Sequence, residues 1–125
     1  MPTQHALLSA SSAHRWLHCT GSPLLEKEFP DTTSVYAQEG TLAHYLCELK
    51  LMAYTGEITK RKLTSMKNKL MKSELWQPEM DSTSEAYLDY IKDITMSYTV
   101  KPVILIEKKV DFSRYVPEGF GTADC

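Results

Sequence analysis

The sequence predicts an α+β fold in which helices come first and a β-sheet begins only near the C-terminal end. Three observations carry this. Apolar residues recur at i, i+3, i+4 spacing between Ser34 and Gly56, and again after Pro78. The texture then changes to an aliphatic, β-branched run, Lys101-Pro-Val-Ile-Leu-Ile-Glu-Lys-Lys-Val110. A turn signal, Tyr115-Val-Pro-Glu-Gly119, separates that run from a second strand starting at Phe120. Helices followed by strands, without alternation, point to α+β rather than α/β. The expected organisation is one domain over residues 1–125, with a helical layer in 1–100 and an antiparallel hairpin in 101–125. Two strands alone are marginal in water, so the sheet reads as incomplete.

The elements follow in order. Residues 9–19 read as a short helix, with Ser9, Ser11 and Ser12 as N-cap oxygens and Thr20-Gly-Ser-Pro23 closing it. Residues 24–33 are mixed and contain the turn signal Phe29-Pro30-Asp31. The clearest helix follows. Ser34 caps it, Leu42, Tyr45, Leu46, Leu49, Met52 and Ala53 form its stripe, and Gly56 ends it. The basic stretch 60–72 continues as a helix towards Trp76. A last helix starts at Pro78 or Asp81 and runs to about Thr99, with Tyr87, Leu88, Ile91 and Ile94 on one face.

Composition sets the class. Of 125 residues, 42% are hydrophobic and 24% charged, ordinary for a soluble domain that can build a core without disulfides. A net charge of −2 gives no global signal for nucleic acid, but Lys60, Arg61, Lys62, Lys67, Lys69 and Lys72 cluster without one acid. Cys19, Cys47 and Cys125 are an odd number without CxxC spacing, which favours a reducing compartment. There is no signal-peptide pattern and no run near the ~20 apolar residues of a membrane helix. A cytoplasmic protein without membrane contact is expected.

Two constellations could carry chemistry. Gly40, His44 and Glu48 lie at i, i+4, i+8 and so share one stripe of a helix. A mid-helix glycine costs about 1 kcal/mol relative to alanine, and the missing Cβ leaves room above the imidazole. A histidine beside carboxylates suits Mn²⁺; the alternative is a core histidine beside a glycine that permits close packing. Glu107 and Asp124 fall on neighbouring strands, Asp124 after the small residues Gly121-Thr-Ala123. Such a pair can hold Mg²⁺ or Mn²⁺; alternatively Glu107 pairs with Lys108 or Lys109 and Asp124 is a turn residue.

The order of these pieces, a Gly-x-x-x-His helix, an acid on a strand and a hairpin to Gly-x-x-Asp, comes with the stretch Leu8-Ser-Ala-Ser-Ser-Ala-His-Arg-Trp-Leu-His-Cys-Thr-Gly-Ser22. Together they resemble the RecB-like branch of the PD-(D/E)XK nuclease superfamily, and within it phage- and prophage-encoded and CRISPR-associated exonuclease-type proteins. The resemblance implies a metal-dependent DNA exonuclease whose restriction-endonuclease-like core this chain begins. It gives catalytic positions to Asp124 and Glu107, and makes His44 and Asp124 ligands of Mg²⁺ or Mn²⁺, with Asp124 central and Glu107 supporting. Such enzymes also use an acid-x-Lys on the following strand. The 125 residues do not reach that strand, so the chain alone is expected not to cleave DNA.

Some relatives bind an iron–sulfur cluster through one N-terminal and three C-terminal cysteines. Cys19 matches the first, but Cys47 and Cys125 do not suit the others, and Cys19 is expected to be a buried structural thiol. Lys60, Arg61, Lys62, Lys67, Lys69 and Lys72 would contact DNA phosphates, and Trp76 could stack on a base. The alternatives are a solvated helix face and a non-catalytic DNA-binding or partner-binding module of prophage origin. Trp16, Tyr87, Tyr90 and Tyr98 read as core aromatics. The open strand edge also invites a homodimer.

Overall fold

In a computed structural model, which describes residues 5–30 and 32–125, seven elements follow one another: α1 (Ala13–His18), α2 (Ser22–Glu26), α3 (Val35–Thr55), α4 (Lys60–Leu70), α5 (Pro78–Met96), β1 (Lys108–Asp111) and β2 (Phe120–Ala123). The architecture is α+β, with helices first and an antiparallel two-stranded sheet last. The chain divides into two compact units, Thr33–Ile106 and a discontinuous one of Met1–Thr32 with Glu107–Cys125. α1 and α2 group with the hairpin.

In the helical unit, local chemistry sets the ends of α3. The Ser34 side chain accepts from the Ala37 N–H at 3.1 Å. Gly56, at φ 86°, takes the left-handed C-cap conformation and donates its N–H to the Met52 carbonyl. Thr59 caps α4 by accepting from the Lys62 N–H at 3.2 Å. Pro78 opens α5, with Glu79 and Asp81 in its first turn where the helix dipole favours anions. Leu46, Leu49 and Leu51 of α3 are at most 2% exposed and form the core with Ile58, Met80 and Leu88. Each such side chain contributes about 1.5–3 kcal/mol by leaving water. Both α4 and α5 pack on α3, so α3 buries residues beyond its predicted stripe, Lys50 and Leu51 among them. A hydrogen bond of 3.0 Å between Tyr54 Oη and Thr95 Oγ1 ties α3 to α5.

In the other unit, β1 and β2 pair with Lys108 opposite Ala123 and Asp111 opposite Phe120. The connecting turn closes on Gly119. A Cβ there would stand 2.6 Å from the Phe112 ring and 2.8 Å from the Val116 carbonyl oxygen, so only glycine fits. Glu118, just before it, sits at φ 54°, a conformation that side chains other than glycine and asparagine rarely adopt. An ion pair of 3.0 Å joins Arg15 of α1 to Glu26 of α2.

Several boundaries differ from expectation. α1 starts at Ala13 because Ser9 is used earlier: its side chain accepts from the Ser12 N–H at 3.3 Å, and its carbonyl accepts from Trp16 Nε1 at 2.9 Å. Ser22-Pro23, expected to close the preceding segment, instead opens a short helix, α2; proline in a first turn is pre-set for a helix. Of the turn signal Phe29-Pro30-Asp31, Asp31 lies outside the described residues. α4 stops at Leu70 rather than continuing to Trp76, and α5 stops at Met96. The strand expected over 101–110 begins only at Lys108. A strand needs a partner for its backbone groups, and β2 supplies one only from Phe120 to Ala123, plus one bond beyond it. Glu107, at φ 48°, breaks the strand geometry there, and residues 101–106 lie outside regular structure.

Candidate functional site

The hairpin brings the two predicted acids together. The Glu107 N–H donates to the Asp124 carbonyl at 3.1 Å, one step beyond the Lys108–Ala123 pair. Both residues thus flank the ladder rather than lie within it, which corrects the placement of Glu107 and Asp124 on strands. Glu107 is half-buried and Asp124 exposed. Burial therefore does not oblige Asp124 to find a counter-charge.

His44 stands on α3, one turn after Gly40 and one turn before Glu48. It is exposed, so the reading of it as a core histidine does not hold. Among the described residues nothing lies within 4 Å of the position a Gly40 Cβ would take, so close packing does not require this glycine. Also among the described residues, no three of His, Cys, Asp and Glu are grouped closely enough to hold a metal ion. Glu107 and Asp124 offer the hard oxygen donors Mg²⁺ and Mn²⁺ prefer, but the pair is not by itself a metal centre.

The basic residues divide. Leu63, Met66 and Leu70 form the half-buried face of α4. At about 100° per residue, Arg61 falls on the opposite side and Lys62 and Lys69 on one flank; all three are exposed, as are Lys60 and Lys72. Lys67 is different: its Nζ lies 2.6 Å from Asp81 Oδ2, so its charge is already matched within the unit. The aromatics divide too. Trp16, Trp76 and Tyr87 are half-buried, but Tyr90 and Tyr98 are 63% and 62% exposed, against the expectation of core positions. Cys19 is likewise exposed rather than a buried thiol, because α1 buries none of its residues and Cys19 is its C-cap.

Sequence reasoning passed over Lys50. Only 4% exposed, it directs Nζ to the Asp81 carbonyl and Oδ1, both at 2.9 Å, and to Glu85 Oε2 at 2.8 Å. With Lys67 on the other Asp81 oxygen, the cluster ties α3, α4 and α5 together. Burial alone pulls the Lys50 ammonium down, but the hydrogen bonds to Glu85 and Asp81 and their charges outweigh it, holding its pKa above the usual lysine value. Hydrogen bonds from Lys67 and then Lys50 hold the Asp81 carboxyl below the usual carboxylate value, against a smaller opposing effect of burial. The available signal was a lysine next to the apolar stripe with acids in the first turn of the last helix. An acid-x-Lys triplet at Glu107-Lys108-Lys109 was also passed over. It precedes Asp124 rather than following it, and Lys109 Nζ sits 4.0 Å from the centre of the Phe120 ring.

Residues 5–125 match the family described as a protein of unknown function, DUF2800. The chain belongs to this family. The match spans both units, so the Glu107–Asp124 hairpin end, His44 and the Lys50 cluster all lie within the DUF2800 region. No solved structure matches the chain. No helix among the described residues is long and apolar enough to cross a membrane.

Proposed function

We propose that this DUF2800 chain belongs to a RecB-like, metal-dependent DNA exonuclease of phage or prophage origin. One observation carries the reading: the hairpin holds Glu107 opposite Asp124 through a backbone hydrogen bond of 3.1 Å, the pairing that the motif order calls for. In such an enzyme Asp124 and His44 would hold Mg²⁺ or Mn²⁺, with Glu107 in support. The ion would polarise a phosphoryl oxygen and lower the pKa of bound water. Glu107 and Asp124 would supply the carboxylate pair and His44 the imidazole, and Arg61, Lys62 and Lys69 would take phosphates of the DNA.

A titration of the 125-residue chain with Mn²⁺, followed by paramagnetic broadening in NMR spectra, tests this. Broadening at Asp124, Glu107 and His44 that Asp124→Asn abolishes is the expected result. Spectra that stay sharp at all three, or broadening indifferent to Asp124→Asn, overturn it.

A second reading has its own support in the exposed basic side of α4: the chain binds DNA without catalysis. It predicts DNA affinity in EDTA that falls steeply with salt, and a log–log salt slope about one unit shallower for each of Arg61→Gln and Lys69→Gln. Affinity that is insensitive to salt, or slopes unchanged by both variants, removes it.

A further inference from the structure

A cleft of about 570 Å³ opens where the ends of α3 and α5 meet the segment after α5. It is lined by Tyr54, Thr55, Glu57, Thr95, Tyr98, Lys101, Pro102 and Ile104, all within the helical unit. It lies nearly three turns along α3 from His44, about 15 Å away, so it is separate from that histidine. Its size is within the range of small-molecule sites, roughly 300–1,000 Å³.

The lining is of three kinds. Tyr54 is a fixed wall: its hydroxyl is bonded to Thr95 Oγ1 at 3.0 Å, and Lys92 Nζ stands 6.0 Å from its ring centre. Tyr98 is not committed to the core. It follows the end of α5 and is 62% exposed, a planar face beside the aliphatic surfaces of Pro102 and Ile104. Charge then lies at two points, the exposed Lys101 ammonium and the exposed Glu57 carboxylate, which accepts from Thr55 Oγ1 at 3.4 Å. An apolar ligand would leave both charges unused, and a bare anion would leave the ring unused. A ligand with a flat aromatic body, an amino-bearing edge and a separate anionic group uses all three.

We propose that this cleft seats one nucleotide of a single DNA strand, with the base on Tyr98, its amino edge toward Glu57 and its phosphate on Lys101. Base stacking on an aromatic side chain and a carboxylate accepting from a cytosine amino group are established recognition chemistry. The proposal rests on reading the chain as one that meets DNA, and it adds the substrate class: an unpaired strand.

The test is an NMR titration of the 125-residue chain in EDTA with dCMP, a short oligo-dC and inorganic phosphate. Saturable shifts at Thr95, Tyr98 and Ile104 are expected with dCMP, and tighter binding with the oligonucleotide. Tyr98→Ala, at an exposed position that leaves the core intact, should weaken both about tenfold, and Lys101→Gln should reduce the salt dependence. Absence of saturation, indifference to Tyr98→Ala, or equal competition by inorganic phosphate overturns the base seat. An oligonucleotide no tighter than dCMP overturns the strand as occupant. Because no metal is present, a silent cleft alongside an intact Mn²⁺ response at Asp124 defeats this inference alone. A responsive cleft without Mn²⁺ binding defeats the nuclease reading alone.

Discussion

Lys50 brings a full charge into the helical core, and its acceptors are unequally placed. Lys50 is 5% exposed in its side chain, while Asp81 and Glu85 are 41% and 55% exposed. Removing the lysine leaves carboxylates that water can reach, whereas removing the carboxylates leaves an ammonium that water cannot reach. Lys50→Met is therefore expected to cost little, about 1 kcal/mol or less, and the double variant Asp81→Ala/Glu85→Ala about 3 kcal/mol. Urea unfolding of both checks this, and equal costs would contradict it.

The same cluster sets a pH dependence at each end of the scale. The Asp81 carboxyl is depressed by its lysine partners, so its stabilisation is complete above the unfolded value of about 3.9 and is lost as pH falls through the lower folded value. The Lys50 ammonium is raised, so its contribution is complete below about pH 10.4 and is lost as pH rises through the folded value. The urea midpoint should fall at both ends. Asp81→Asn should flatten the acid limb, and Lys50→Met the alkaline one.

At the scale of the element, α3 contains one glycine and ends at another, and the two call for opposite substitutions. Gly56, at φ 86°, is the left-handed C-cap, where a Cβ is strained; Gly56→Ala should destabilise by about 1 kcal/mol. Gly40 is helical with open space about its Cβ position; Gly40→Ala should stabilise by up to about 1 kcal/mol. Thermal unfolding of the pair gives the two signs. A Gly40→Ala variant that is more stable yet fails to take up Mn²⁺ would identify that space as functional.

These ends also show what the sequence made legible. Ser34 and Gly56 act on backbone groups within four residues of themselves, so α3 could be bounded by reading along the chain. Lys50 is buried because α4 and α5 cover two sides of one helix, which a one-stripe reading of α3 does not contain. The run at 101–106 has every local mark of a strand, yet pairing depends on the length of β2. Of the candidate site, the Glu107–Asp124 apposition followed from the hairpin. The exposure of Asp124 and Tyr98 did not, because nothing local distinguishes an acid or an aromatic at a rim from one in a core.

At the scale of the whole molecule, the hairpin is two strands wide and β1 is exposed along its length. An edge of this kind can accept another strand, and a second copy of the chain offers one. If it does so, light scattering will give a mass that rises from monomer towards dimer with concentration, and a constant monomer mass removes the homodimer. The thiols bear on that experiment. Cys125 is exposed and directly follows Asp124, and Cys19 is exposed as well. Aerobic storage can therefore join two copies by a covalent bridge, and such a species would persist on dilution. A dimer that disappears with dithiothreitol records the age of the sample, whereas one that survives reductant and dissociates on dilution records the edge.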